Sequence, residues 1–342
     1  MMKQQRRERL LIFTLAFLLF PAVLCSLSIG RFSMPPSMVF RVLFARLTGA
    51  EVSLQADNVI FIIRLPRIFL SMLVGAALSL SGAAYQSLFR NPMVSPGVLG
   101  VTNGAGFGAA LAILLSLPSF FIQGMAFVFG LATVALVLSL TRMAGAGKGR
   151  NSTVVLILTG TIMNALFSSI ISFTKYVADG DQKLPEITFW LMGSFARSGN
   201  GRNVLVMLAV LLSAGTVLFL LRWRITILSF SDEEARSMGV NTRQVRALVI
   251  LASTLLTAAA VSLCGIISWV GLIIPHICRL LVGPNNRALF PAVLLGGALF
   301  MLMVDNGARA IIPGELPVGV LVSFIGAPLF LYMLFCGRRE WL

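Results

Sequence analysis

The chain has 342 residues, 58% of them hydrophobic and only 11% charged, with a formal net charge of +15. Repeated apolar runs long enough to cross a bilayer exclude an ordinary soluble domain. The positive charge lies between those runs rather than on one soluble face, which excludes a nucleic-acid-binding module.

About ten spans are predicted, at roughly 10–30, 68–89, 96–117, 119–141, 152–174, 203–221, 246–263, 265–282, 288–305 and 316–336. The expected fold class is therefore an all-α polytopic membrane protein. The N-terminus imitates a signal peptide, with Lys3, Arg6, Arg7 and Arg9 before an apolar run, but lacks a well-arranged small-residue cleavage site. It reads as an uncleaved first span. An even number of spans puts both termini on one side. With that side inside, most of the 27 Lys and Arg residues fall in inner loops, as the positive-inside rule requires. The spans are read as free of Asp, Glu, Lys and Arg, which disfavours an ion-coupled carrier or a charge-selective channel.

The second span opens with Arg64-Leu-Pro-Arg67 on the outside, Pro66 suiting a helix start. The two arginines read either as interfacial anchors or as a positive docking point. Phe89 to Gly97 is a Pro-broken inner connection. In the third span Gly100, Gly104 and Gly108 recur every four residues, which allows close helix packing, and Thr102 and Asn103 add polar groups at its entry. Lys148 lies in a glycine-rich run, but Arg142 and Gly149 occupy positions where a phosphate loop needs Gly and Ser or Thr; no nucleotide site is predicted. Thr161, Asn164, Ser168 and Ser172 share one face of the fifth span, facing protein or water. Interhelical hydrogen bonding and path lining both explain them.

The stretch 222–246 is the longest charge-dense segment between two spans. Ser231 with Glu234 makes a capping box, Asp232, Glu233 and Glu234 suit a helix N-terminus, and Arg236 its far end. Gly239 suits the helix stop at C′, and Asn241 with Gln244 restarts a helix. A solvated loop and a helical contact surface are the two readings. In 265–284, Pro275 should kink a helix near its inner end, and His276 has no acid or nucleophile beside it. Asp305 and Arg309 are spaced to pair at an outer helix end. Glu315 precedes the last span, where a carboxylate suits the dipole. Cys25, Cys264, Cys278 and Cys336 lack paired metal spacing and read as small buried apolar side chains.

Several segments in order, LPRIFLSMLVGAALSLSGAAYQSLFRNPMVSPGVLGVTNGAG, EEARSMGV, GLIIPHICRL and ELPVGVLVSFIGAPLF, resemble the FecCD family of ABC importer permeases over roughly 60–336. The resemblance implies a BtuC-like permease fold, one transmembrane domain over 1–342, in the cytoplasmic membrane of a prokaryote. It implies pairing with a second permease subunit, identical or not, an ATPase dimer beneath and an extracytoplasmic solute-binding protein above. ATP and magnesium then belong to the ATPase, and the chain itself carries no cofactor. The family's ATPase-coupling helix matches Ser231, Glu234, Ala235, Arg236 and Gly239, within 222–246. Its binding-protein docking arginines match Arg64, Arg67 and Arg309. Its inner gate region matches Asn151 and Ser152, while Asn103, Thr161, Asn164 and Ser168 are path candidates by their own polarity and placement. The implied cargo is an iron chelate (ferric siderophore, haem) or cobalamin, with oxyanions such as molybdate open. A stand-alone ion-coupled carrier or channel is the alternative.

Overall fold

The computed structural model describes residues 2–30, 32, 34–144, 152–228, 230, 232–312 and 314–336, all-helical with no strand among them. The glycine-rich run at 145–150 and the candidates Asn151 and Ser231 lie outside the described residues, as do the side chains of Ser152, Asp232 and Cys336. The α-helices are α1 (Met2–Ser28), α2 (Pro36–Thr48), α3 (Leu54–Asn58), α4 (Leu65–Phe89), α5 (Val101–Leu114), α6 (Ser119–Met143), α7 (Ser152–Val177), α8 (Lys183–Leu191), α9 (Gly201–Ile227), α10 (Asp232–Ser237), α11 (Thr242–Cys264), α12 (Val270–Val282), α13 (Asn286–Ala310) and α14 (Val318–Cys336). Among the described residues seven helical stretches are long and apolar enough to cross a membrane; α5, α12 and most of α14 are shorter apolar helices at the remaining predicted spans.

Glycine sets the closest approaches. A Cβ on Gly75 would lie 2.2 Å from the Gly297 carbonyl oxygen, and one on Gly82 would lie 1.8 Å from that of Gly271. α4 therefore touches α13 and α12 backbone to backbone, which small residues alone permit. Hydroxyls join α4 to the largely buried α11: Ser81 Oγ lies 3.0 Å from Thr257 Oγ1, and Tyr85 Oη lies 3.1 Å from Thr254 Oγ1. The Gly104 and Gly108 expectation holds for packing. Added Cβ atoms there would strike Thr133, Phe129 and Met125 of α6.

The short helices reflect irregular backbone at their starts. Pro96–Leu99 is a 3₁₀ turn ending at Gly100, which has φ +86°. Residues 265–269 are non-helical, with Gly265 at φ +76° and Trp269 at φ +67°. Such backbone survives in a membrane protein only where protein satisfies it. Here Asn164 donates to the carbonyls of Gly97 and Val98, and Ser194 N–H donates to Cys264 O at 2.8 Å.

Three expectations are corrected. The second span does not begin near Pro66. It is continuously helical from Leu54, through a π-helical stretch at Val59–Arg64 whose wider register precedes the missing Pro66 N–H. Pro275 lies in the middle of α12 rather than near its inner end. Cys264 and Cys278 are buried, but Cys25 is exposed.

Candidate functional site

At one end of the bundle, α10 forms a compact knob. Ala235 is fully buried and seats it, while Glu233, Glu234, Arg236 and Gly239 are exposed. The helix ends as its residues dictate. Gly239 N–H donates to Arg236 O at 2.9 Å, and Val240 N–H donates to Ala235 O at 3.0 Å. Gly239 has φ +77°, and Ala235 and Val240 are buried in one cluster. This is a Schellman stop with its apolar contact. Asn241 then caps α11, its Oδ1 accepting from Gln244 N–H at 3.1 Å. Phe230 and Met238, both exposed, flank the knob. Arg90, at the end of α4, donates Nε to Leu228 O at 2.8 Å and its guanidinium also to Phe230 O.

Along α7, Thr161, Ser168 and Ser172 are exposed, and Ser169 joins them. Their hydroxyls bond back to carbonyls one turn earlier, from Thr161 to Ile157, Ser169 to Ala165 and Ser172 to Ser168. Those three satisfy themselves on their own helix, and the exposed stripe carries no charge. Asn164 is different. It is half-buried, it donates to Gly97 O at 3.1 Å and Val98 O at 3.3 Å, and it accepts from Asn103 at 3.0 Å. Asn103 and Asn164 therefore form a clasp between α5, α7 and the 3₁₀ turn, while Thr161 and Ser168 face away from the protein.

Toward the opposite end lies an open cleft of about 470 Å³, lined by Met192, Ile266, Ser268, Gly319, Ser323 and Phe324 among others. Its lining is uncharged, and the hydroxyls of Ser268 and Ser323 are its polar side-chain groups. Gly319 lets α14 start against Met192 and Ile266, since a Cβ there would lie 2.4–2.5 Å from their carbonyl oxygens.

At that same end an ion cluster joins α1, α4, α13 and the turn before α14. Arg67 donates Nε and a terminal nitrogen to Asp305, the shortest contact being 2.8 Å, and its other terminal nitrogen to Glu315 at 3.0 Å. Arg309 Nε lies 3.2 Å from the Asp305 carboxylate, and the terminal nitrogens reach Ser26, Ile29 and Asn306. Arg64 donates to the carbonyls of Leu27 and Phe32.

The FecCD transport family profile matches residues 17–336. The chain belongs to the FecCD transport family. It is 41% identical over 329 residues, 96% of each chain, to the molybdate import system permease MolB of Haemophilus influenzae. It is 40% identical over 281 residues, 82% of this chain and 83% of the other, to a Helicobacter pylori permease described as serving iron chelatin transport. A solved inward-facing structure of an ABC transporter assigned to the metal-chelate type superposes with a TM-score of 0.83 at 39% identity, covering 96% of this chain and 99% of that one. The fold is thus that of a FecCD-type importer permease.

Within this FecCD permease the predicted coupling residues Glu234, Ala235, Arg236 and Gly239 do share one element, with Ala235 turned inward as its anchor. The three arginines matched to docking do not offer free charge. Arg64 is 4% exposed, Arg67 7% and Arg309 7%, and every guanidinium is held by intrachain acceptors. Buried cations need such partners, which Asp305 and Glu315 supply to Arg67, Asp305 to Arg309, and the Leu27 and Phe32 carbonyls to Arg64. The reading of charge-free spans is corrected here. Asp305 is fully buried in α13, and Arg279 sits in the last turn of α12. Glu315 pairs with Arg67 instead of facing a helix dipole, α14 beginning only at Val318. Sequence reasoning passed over Arg90 and the Ser268–Ser323 cleft. Arg90 adopts φ 52°, a left-handed conformation that nothing in its residue type announces.

Proposed function

We propose that this FecCD permease carries a metal-centred solute across the cytoplasmic membrane of a prokaryote, driven by ATP hydrolysis on a partner ATPase dimer that grips α10. In this reading both termini and the knob lie in the cytoplasm. A second permease subunit covers the α7 stripe across a shared path, and a solute-binding protein docks at the end that carries α8. ATP and magnesium stay with the ATPase. The observation that carries the reading is the pairing of an uncharged hydroxyl-bearing face on α7 with a capped, side-exposed helix at one end of the same bundle. With their hydroxyls already bonded to their own helix, Thr161, Ser169 and Ser172 leave an uncharged polar face that suits a water-filled path or a second subunit. An exposed amphipathic helix of this size suits a groove on a partner. Among the described residues the buried carboxylate on a spanning helix, Asp305, is taken by Arg67 and Arg309 and is not free to carry protons.

An iron chelate is the proposed cargo, supported by the uncharged cleft, which would pass a bulky complex without trapping it. The relative from Helicobacter pylori and the metal-chelate structure favour it. Molybdate is the second reading, favoured by the Haemophilus influenzae relative, which aligns over almost the whole chain. The test is uptake into proteoliposomes holding the permease, its ATPase and its binding protein, with radiolabelled ferric siderophore and radiolabelled molybdate offered in parallel. ATP-dependent accumulation of the first supports the proposal, and of molybdate alone the second. Accumulation driven by an ion gradient without ATPase would overturn both in favour of a secondary carrier.

A further inference from the structure

The residue that stands out beyond the knob itself is Arg90. It ends α4 with φ 52° and ψ 35°, a conformation that non-glycine residues seldom adopt. Its own N–H and that of Asn91 both return to Gln86 O, so the turn is a helix stop made without glycine. That turn aims the side chain across to α9. There Nε meets Leu228 O and the guanidinium also meets Phe230 O, the two carbonyls flanking the junction between α9 and the knob. A cation at the carbonyl end of a helix is favoured by the dipole as well.

From Arg90 the chain runs into 91–99, an irregular segment lodged inside the bundle. Val94, Pro96 and Leu99 are buried, and Pro96 fits against Gly271, where a Cβ would lie 2.3 Å from the proline ring. The far end of this segment is fixed to α7. Asn164 donates to Gly97 O and Val98 O, and Gly160 of α7 lies so close that its Cβ would be 2.4 Å from Val98 O. Below, Ser87, Asn286 and Thr226 link α4, α13 and α9 in one hydrogen-bonded line. The ends of those helices are thereby held together, and the knob's junction meets the 91–99 segment at Arg90.

We propose that Arg90 is a strut that passes displacement of the α10 knob into the 91–99 segment, and that Asn164 hands it to α7, the helix bearing the hydroxyl stripe. The route is Phe230, Arg90, the segment to Val98, then Asn164. Arg90 acts as a positioning residue: it touches neither ATP nor cargo. The inference rests on the reading of α10 as the ATPase contact. Coupling of this kind requires contacts that both ends can bias, and the hydrogen bonds of Arg90 and of Asn164, joined by the 91–98 backbone, supply a connected route.

The test uses the permease assembled with its ATPase in proteoliposomes and needs no cargo. A cysteine at Ser168→Cys reports on α7 through its rate of maleimide labelling, with and without ATP, corrected for the parent's own cysteines. A second cysteine at Glu234→Cys reports ATPase contact by crosslinking. The expected result is an ATP-dependent change in labelling at 168 that Arg90→Ala reduces to the level without ATP, while the 234 crosslink and ATP hydrolysis persist. Arg90→Lys should restore part of the change, since an ammonium can still reach one carbonyl. Asn164→Ala should lose it too, and the double variant should lose no more than either single one. A full ATP-dependent change in Arg90→Ala, with the crosslink intact, overturns the strut alone. An absent crosslink in the parent overturns the α10 reading and the strut with it. No ATP-dependent change at 168 in the parent overturns the strut as well. Should Arg90→Ala fail to assemble, Arg90→Lys and Asn164→Ala decide the question by the same readout.

Discussion

Arg67 and Asp305 stand 238 positions apart in sequence and 2.8 Å apart in space, with Asp305 wholly removed from solvent. The pair joins α4 to α13, and Glu315 and Arg309 complete a cluster in which each charge has an opposite neighbour. A fork-shaped guanidinium gripping a carboxylate through two nitrogens is the strongest geometry available to such a pair.

Removing the shared carboxylate should therefore hurt more than removing a surface charge. Asp305→Ala leaves Arg67 and Arg309 buried with less compensation, a situation that costs about 3–5 kcal/mol in soluble proteins. Thermal unfolding of the purified permease in detergent should show a clearly lowered midpoint. An unchanged midpoint would mean the cluster contributes nothing to stability.

The same geometry alters what charge reversal at Arg64 and Arg67 should do. A docking role through free surface charge would weaken as salt rises, with a screening length of about 8 Å at physiological ionic strength. Buried arginines predict instead that Arg67→Glu lowers the amount of folded permease and that binding-protein affinity of the folded fraction shows little added salt dependence. A titration of binding against ionic strength separates the two.

The glycine contacts predict a sharp positional contrast. Gly82→Ala places a methyl 1.8 Å from the Gly271 carbonyl oxygen, whereas Gly124→Ala meets nothing within 4 Å. Overpacking costs about 1–3 kcal/mol when the surroundings can shift, and two apposed backbones shift poorly. Gly82→Ala should lower thermal stability by at least that much and Gly124→Ala should leave it unmoved, read on the same unfolding assay.

At the knob, space and conformation part company. Gly239 has open room around it yet φ +77°, so a side chain there fails on backbone strain rather than collision. A left-handed residue with a Cβ costs about 1–2 kcal/mol. Gly239→Val should weaken ATPase binding, and Gly239→Asn, which tolerates that region, should retain it. Equal binding by the two variants, measured by co-purification, would remove the helix stop from the coupling surface.

On α7, Ser168→Trp should fill the exposed face and suppress cargo uptake while the ATPase still binds. Undiminished uptake would take Ser168 out of the path.

The spans and the knob were legible in the sequence because period and capping are local. Apolar runs mark which segments are long enough to span a membrane, and Asn241, Gly239 and the acid-rich turn at 232–234 act within a few residues of themselves. What escaped depended on partners far along the chain. Nothing near Arg67 says that Asp305 and Glu315 await it, so Arg64 and Arg67 read as interfacial anchors or a positive docking point, and only the Asp305–Arg309 pairing was visible from spacing. The polar residues of α7 sorted themselves only in three dimensions. Asn164 faces α5 and a turn that no periodicity places, while Thr161 and Ser168 on the same stripe face outward. Arg90 gave no signal, since its left-handed turn and its contacts with Leu228 and Phe230, some 140 positions on, are not announced by neighbouring residues.

Where α4 meets α13 and α12, the apposed glycines leave no side chain to swing and no gap to close. Those helices have one way to sit against each other, so they serve as the frame of the machine rather than its moving part. α7 and α14 also touch neighbouring backbone, at Gly160 and Gly319, but their outer faces are sparsely covered, so inhibitors meant to jam the cycle should be sought along those two faces.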